Sequence, residues 1–449
     1  MEIFALALFC LALLVCVIFD ISVLYALGVG LVVFSAYAKI KKHTFRAILK
    51  MIFDGIKTSK NILINFLLIG LLTASWRESG TIAFIICSAS EFINPQVFVL
   101  MTFVLNAFVS FLMGTSFGTS ATMGVICMTM AKSMGMNPVI VGGAMLSGAL
   151  WGDRCSPVST SALLVSELTK TDIFTNIKNM FRTAAVPTAL ACIIYLALGI
   201  TAGDSGAMPD IKSMFSAEFN LHPLAVIPAA VILALSLFRV KTKYVLLASL
   251  VSASVIGIAV QDMEIIETLK TLIFGYKAET EALSHMMNGG GLVSMLNATA
   301  IVCISSAYSG IFAATGLLDS LKEKISSLGK KITPFGATAV TSALTSLISC
   351  NQTLAIILTH QLCDGAEKEK NTAAINLENT AVVISPLVPW SIAAAVPLTS
   401  SGAPTASVLT AVFLYILPLW SFITALHKRR KENRNEQNNK LHSRSRPSY

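Results

Sequence analysis

Apolar residues in this chain come in long, nearly unbroken blocks, at positions 3–19, 23–38, 62–74, 184–200, 223–238, 244–260, 293–314 and 406–426. A helix needs roughly 20 such residues to cross the hydrocarbon of a bilayer. The pattern therefore predicts an all-α polytopic membrane protein of about 11–13 helical segments, some of them half-length. The alternating stretches of about ten residues that build a membrane β-barrel are absent, which excludes that class. The first block reads as an uncleaved helix and not as a signal peptide. Its start is acidic (Glu2), no small-residue cleavage site follows, and Asp20 leads straight into the second block.

Polar runs rich in glycine, proline and hydroxyls interrupt the apolar blocks. The first two are Gly114-Thr-Ser-Phe-Gly-Thr-Ser-Ala-Thr-Met-Gly124 and Gly152-Asp-Arg-Cys-Ser-Pro-Val-Ser159. Non-helical backbone is tolerated at membrane depth only where it is buried in protein or lines a cavity. The order repeats later: Ser349-Cys-Asn-Gln-Thr353 is followed, at a similar distance, by Ser385-Pro386. Each half also opens on an apolar helix with a small-residue turn, Thr73 to Gly80 and Tyr308 to Gly316. Paired interruptions of this kind point to two inverted repeats with broken or re-entrant helices and a site at their interface.

The expected division is a helical pair with a basic loop (1–60), a first repeat (61–200), connecting helices and loops (201–291), a second repeat (292–427) and a basic disordered tail (428–449). Counting crossings between basic and acidic loops makes one of the segments 335–363 and 373–399 a re-entrant hairpin.

Composition sharpens the class. Of 449 residues, 55% are hydrophobic and 13% charged, with mean hydropathy +0.73; a soluble domain carries about 25% charged residues. The net charge of +9 is not a nucleic-acid signature, because the cations sit in short clusters between apolar blocks. These are Lys39 to Lys60, Lys170 to Arg182, Arg239 to Lys243, Lys322 to Lys331 and the tail from Lys428, whereas 201–221 and 261–291 are acid-rich. Short basic loops stay on the cytoplasmic side. The expectation is a multi-pass protein of a bacterial-type inner (plasma) membrane, its partner the lipid bilayer, with both termini cytoplasmic. The sequence leaves a homodimer open. The nine cysteines show no CxxC spacing and read as small apolar residues, Cys155 and Cys350 included. The six histidines lack ligand spacing, and no nucleotide or triad motif is present. No cofactor, resident metal or enzyme chemistry is expected.

The acidic residues inside apolar segments are the sharpest candidates for function. A carboxylate at membrane depth usually faces a polar cavity and marks an ion or proton path. Asp153 follows an apolar helix and precedes Ser156-Pro157; its alternative is a structural ion pair with Arg154. Glu378, flanked by Asn376 and Asn379, is the counterpart before Ser385 and Pro386; its alternative is a first-turn glutamate steadied by the helix dipole. Thr115, Ser116, Thr119 and Ser159, with Asn351, Gln352, Thr353 and Ser385, offer oxygens that suit a hard cation or the polar ends of an organic solute. Gly114 and Gly118, read instead as a packing face, would support the break, as would Gly152, Pro157 and Trp390. Arg77 and Glu78 read as residues of an external turn.

At these residues the chain resembles the NhaC-type sodium/proton antiporter family. Gly114-Thr-Ser-Phe-Gly-Thr119, Ser147 to Pro157, and Leu377-Glu-Asn379 through Ser385-Pro-Leu-Val-Pro-Trp390 carry the likeness. The resemblance spans about residues 60–425 and implies Na+ and H+ as cargo. The chain departs from the family pattern at Thr160 and Asn379, where acids are usual, and at Ser391, where Asn is usual. Fewer acids suit the family's malate/lactate exchangers and amino-acid carriers, so a small organic solute is the alternative cargo. A membrane scaffold or sensor without transport is a third reading, weakened by loops too short for a folded output domain.

Overall fold

A computed structural model describes residues 2–444 except 19–21, 59, 91–93, 158, 203–210, 239, 318–332, 350, 364 and 368. Cys350, the basic cluster Lys322 to Lys331, and Asp204 and Asp210 of the first acidic loop lie outside the described residues. The protein is all-α; an isolated antiparallel bridge joins Tyr276 to Gly289. Among the described residues, Pro95–Met113, Ile173–Ile200, Lys243–Val260 and Thr405–Lys431 are each long and apolar enough to cross a membrane. Lys370–Leu387 and Ile392–Ser401 pass the same test together, bent by 56°. Several apolar helices of this kind define a polytopic membrane protein.

Glu2–Ile18 and Val23–Ile40 form an N-terminal pair. Phe9, Phe34, Tyr308 and Phe312 tie it to Leu296–Thr315 by edge-to-face ring contacts, with Phe34 centred 5.0 Å from Tyr308. The basic stretch after the pair contains a helix, Phe45–Thr58, where a loop was expected. Ile48, Met51, Ile52 and Gly55 recur at helical spacing, giving it an apolar face. That face lies backbone to backbone on Leu296–Thr315: a Cβ added to Gly310 would meet the Met51 carbonyl oxygen at 1.9 Å. Glycine at both Gly55 and Gly310 permits that approach.

Two fold-backs organise the rest. Pro95–Met113 ends at Gly114, whose left-handed φ of 64° suits glycine. The chain then reverses through Ser116–Thr119 and a π-turn, Ser120–Gly124, into Val125–Ser133. Asn106 Nδ2 lies 3.6 Å from Cys127 Sγ across the limbs. Pro334–Ser349 and Gln352–Leu362 make the second fold-back, with the Thr345 and Thr359 hydroxyls 2.7 Å apart. Of the two segments offered as a hairpin, the sharp reversal is therefore the earlier one.

The hairpins enter from opposite ends of Ile173–Ala202. Gly199 packs on Gln96 at the base of the first, 2.2 Å from its carbonyl for an added Cβ. Phe335, at the base of the second, shares a cavity with Asn179 and Arg182 near the other end of that helix. Each hairpin is followed by an interrupted helix: Pro138–Cys155 breaks before Thr160–Thr169, and Lys370–Glu378 breaks before Ala381–Ile384.

The acid-rich segment 261–291 folds into Ile265–Phe274 and Glu281–Met287, clasped by the Tyr276–Gly289 bridge. Glu218 anchors it by accepting from the Tyr276 hydroxyl (2.7 Å), the Glu279 N–H (2.9 Å) and the Thr280 hydroxyl (3.1 Å). Partial burial acts to raise the Glu218 carboxyl, but these donors outweigh it and hold the group below its ordinary value. The final helix, Val412–Arg444, runs into the basic tail, where disorder was expected. Residues 428–444 contain neither glycine nor proline, and seven of them are Lys or Arg, which form helix readily.

Candidate functional site

Asp153 lies in the last turns of Pro138–Cys155, a helix held against Pro95–Met113 by a glycine ladder. An added Cβ would stand 2.3 Å from the Phe103 carbonyl at Gly148 and 2.2 Å from the Ala107 carbonyl at Gly152. The Ser110 hydroxyl donates to Ala149 O across the same seam (2.5 Å). This packing delivers Asp153 to the tip of the first hairpin. Its Oδ2 accepts from the Ser116 N–H (3.2 Å) and its Oδ1 from the Ser159 hydroxyl (2.7 Å). Ser159 lies 2.9 Å from Ser161 Oγ and caps Thr160–Thr169.

The structural ion pair considered for Arg154 is not formed with Asp153. Fully buried, Arg154 turns the other way and donates Nε–H to the Glu378 carbonyl (3.1 Å). Its terminal amine donates to Asn379 Oδ1, and Nη1 lies 3.8 Å from Cys155 Sγ. Asn379 in turn donates to Ser421 Oγ (2.9 Å) on the last helix. Glu378 stands in the last turn of Lys370–Glu378, not a first turn, and Thr380 (φ −127°, ψ −82°) breaks the helix just after it. A carboxylate at a helix C-terminus opposes the dipole, so the nearby guanidinium is needed to hold it. Both Glu378 oxygens are buried without a hydrogen-bond partner, and Asp153 and Arg154 both act on the group electrostatically.

The remaining predicted residues divide into two sets. Thr119 (buried) donates its hydroxyl to Thr115 O at 2.9 Å, and Gly118 O accepts from Thr122 at 2.9 Å. Hydroxyls spent on the preceding turn keep lone pairs for a cation. Ser156 is buried beside Asp153 and its N–H donates to Asp153 O (3.2 Å), with Pro157 following it at the break. Ser385 is buried 3.1 Å from Ser391 Oγ, and Pro386 starts the one-turn 3-10 helix there.

The second hairpin tip joins this assembly less directly. Gln352 Nε2 donates to Val382 O (2.7 Å) and Trp390 Nε1 to Leu347 O (3.2 Å). Asn351 uses its side-chain oxygen to cap Thr353 N (2.9 Å), and Thr353 is exposed. Among the described residues, no hydrogen bond joins Asn351, Gln352 or Thr353 to Asp153 or Glu378. Four residues beyond the predicted set complete the network: Ser161, Thr380, Ser391 and Ser421. Ser161 shares the Ser159 motif and Ser391 follows Trp390; Thr380 and Ser421 carry no local signal.

Two cavities reach the later broken helix. One, of about 540 Å³, runs from Arg182, Glu369 and Lys428 down to Asn376 and Asn379. The other, of about 740 Å³, opens beside Ser22 and Thr405 and ends on Leu387, Pro389 and Trp390. Buried carboxylates at helix breaks, with two cavities reaching the later broken helix, define a polytopic membrane protein of the secondary-transporter class.

The chain belongs to the Na+/H+ antiporter family, which it matches over residues 2–167 and 148–428. It is 28% identical over 385 residues to the Na(+)/H(+) antiporter NhaC of Alkalihalophilus pseudofirmus, covering 82% of each chain. It is 25% identical over 399 residues to the malate-2H(+)/Na(+)-lactate antiporter of Bacillus subtilis, covering 86% of this chain and 83% of that one. To the arginine/ornithine antiporter ArcD of Halobacterium salinarum it is 25% identical over 386 residues, covering 82% and 79%.

Proposed function

We propose that this protein is a secondary active transporter that exchanges Na+ for H+ by alternating access. In this reading it lies in a bacterial-type inner (plasma) membrane with both termini in the cytoplasm, and its two hairpin-plus-broken-helix units are inverted repeats. The observation that carries the proposal is the buried assembly of Asp153 and Glu378. Each sits on a different broken helix, and Arg154, next to Asp153 in the chain, donates to the Glu378 carbonyl. Carboxylates so placed can take a proton or a hard cation in turn, while the Ser116, Thr119, Ser159 and Ser385 oxygens complete a cation shell. The two cavities supply an approach from each side, and a change in the bend at 378–392 would close one as the other opens. Purified protein in liposomes with an entrapped pH dye tests this. A sodium pulse is expected to drive proton movement; the same proton movement without sodium removes the assignment.

A second reading keeps the scaffold and carries a small organic solute. The cavity of about 540 Å³, with Asn371, Asn376 and Asn379 in its wall and Arg182 and Lys428 at its mouth, favours it, because a bare ion needs no such volume. Radiolabelled malate, lactate, arginine and ornithine uptake separates the two readings. No accumulation of any of them defeats the second.

A further inference from the structure

The helix Phe45–Thr58 carries a second apolar stripe that its packing leaves open. The side holding Met51 and Gly55 lies on Leu296–Thr315, and Ile48 is buried with it. Phe45, Leu49 and Phe53 recur at every fourth position and stand 67%, 38% and 67% exposed. Arg46, Lys50 and Lys57 recur at helical spacing too, and all three are exposed. At 3.6 residues per turn they run along the outer edge of the phenylalanine stripe. The helix thus has three strips: one packed on protein, one apolar and open, one cationic. From Lys39 to Lys60 the chain holds seven Lys or Arg and one acid, Asp54. An open apolar strip bordered by cations is the pattern of a helix lying in the plane of a membrane surface, its apolar side chains in the acyl boundary and its cations among the headgroups.

The end of this helix forms a groove. Lys60–Glu78 starts two residues after Thr58, and beside that junction a groove of about 400 Å³ is lined by Ile56, Lys57, Lys60, Leu63, Ile64 and Leu67. Its cations and its apolar wall are separated along the chain. Lys60 opens the second helix, and Leu63, Ile64 and Leu67 follow on it, with Ile64 and Leu67 exposed. At 1.5 Å rise per residue, Leu67 lies about 10 Å along the axis from Lys60. A zwitterionic headgroup brings its own cation to these two ammonium groups, and a small soluble anion leaves the leucine wall uncovered. A phosphodiester that carries acyl chains satisfies both ends of the groove.

We infer that this groove is a binding site for one anionic phospholipid, its phosphate held by Lys57 and Lys60 and an acyl chain laid along Leu63, Ile64 and Leu67. Gly55 and Gly310 join the same helix backbone to backbone to Leu296–Thr315, so a lipid seated here braces that contact. The inference goes beyond the transport reading and holds whichever solute is carried.

The test uses full-length protein in a neutral detergent, titrated with phosphatidylglycerol or phosphatidylcholine of identical acyl chains. Bound lipid is counted by native mass spectrometry and melting is followed in parallel. One phosphatidylglycerol is expected to bind in preference and to raise the melting temperature, since a ligand of the folded state stabilises it. Glycerol phosphate, which has the anion without the chains, should not compete at equal concentration. Lys57→Gln and Lys60→Gln should each weaken phosphatidylglycerol binding about fivefold and leave melting in lipid-free detergent unchanged. Lys241→Gln and Lys243→Gln, in another basic cluster, should leave the binding as it was. Equal affinity for the two lipids, unchanged affinity in the Lys57 and Lys60 variants, or an equal loss in the Lys241 and Lys243 variants overturns the site. Full competition by glycerol phosphate makes it an anion site and overturns the lipid assignment. A lipid-free dimer that the Lys57 and Lys60 variants dissociate gives the groove to a second copy and overturns it as well.

Discussion

Ser159 shows how much a single hydroxyl carries in this site. It donates to Asp153 at 2.7 Å and touches Ser161 at 2.9 Å, all within the buried break after Pro138–Cys155. A hydrogen bond to a charged group contributes about 1.5–3 kcal/mol. Ser159→Ala is therefore expected to lower the melting temperature in detergent and weaken sodium half-saturation, and Ser159→Thr to restore both. Unchanged melting and sodium dependence in the alanine variant would mean that Asp153 is held by other groups. Gly152 is the steric counterpart. An added methyl would stand 2.2 Å from Ala107 O and 2.5 Å from Phe111 N, both backbone atoms that cannot swing aside. Overpacking of this kind costs typically about 1–3 kcal/mol. Gly152→Ala should show that loss as poor folding yield, while Gly28→Ala, which meets nothing within 4 Å, should not. The sequence marked Asp153, Ser159 and Gly152 because each stands in a short motif at a break. It did not mark the direction of Arg154, which depends on Asn379, 225 positions away.

At the scale of elements, breaks are held by caps. Asn351 begins Gln352–Leu362 by accepting from Thr353 N. Losing an N-cap costs about 0.5–2 kcal/mol. Asn351→Ala is expected to raise amide exchange across 352–362 and leave the first hairpin unaffected, with Asn351→Asp behaving as the parent. Equal exchange in the alanine variant would show that packing, not the cap, holds this limb. Glu218 gives the outer segment a pH dependence. Its carboxyl is held below the ordinary value by the donors from Tyr276, Glu279 and Thr280, which outweigh the effect of burial. Its contribution is thus complete above the unfolded value and is lost as pH falls through the lower, folded one. Amide exchange over 276–290 should quicken as pH falls below the ordinary glutamate range, and Glu218→Gln should remove that dependence. The breaks themselves were legible as Gly, Ser-Pro and hydroxyl clusters within apolar blocks. The Phe45–Thr58 helix was not, because its lysines read as a loop and its apolar face becomes meaningful only against Gly310.

For the whole molecule, the decisive feature is that the two cavities end on the same broken helix from different sides. In a background lacking native cysteines, Thr372→Cys and Thr405→Cys are expected to react with an impermeant thiol reagent from opposite faces of the membrane. Sodium should change the two rates in opposite directions. Labelling of both from one face would leave no basis for alternating access. Membrane class, the interruptions at 114–124, 152–159 and 349–353, and the acids Asp153 and Glu378 were readable along the chain; the break at Thr380 was not. Hydropathy is a local property, and glycine, proline and charge are conspicuous where nearly everything else is apolar.

What the chain could not disclose was which groups meet. Asp153, Arg154 and Glu378 come from helices more than 220 positions apart, and their pairing follows from glycine-to-backbone contacts at Gly148 and Gly152 and from the break at Thr380. Hydrogen-bond saturation of one acid and the bareness of the other are outcomes of three-dimensional packing: residue type sets how many bonds a group can form, and only its neighbours in the fold set how many it does form.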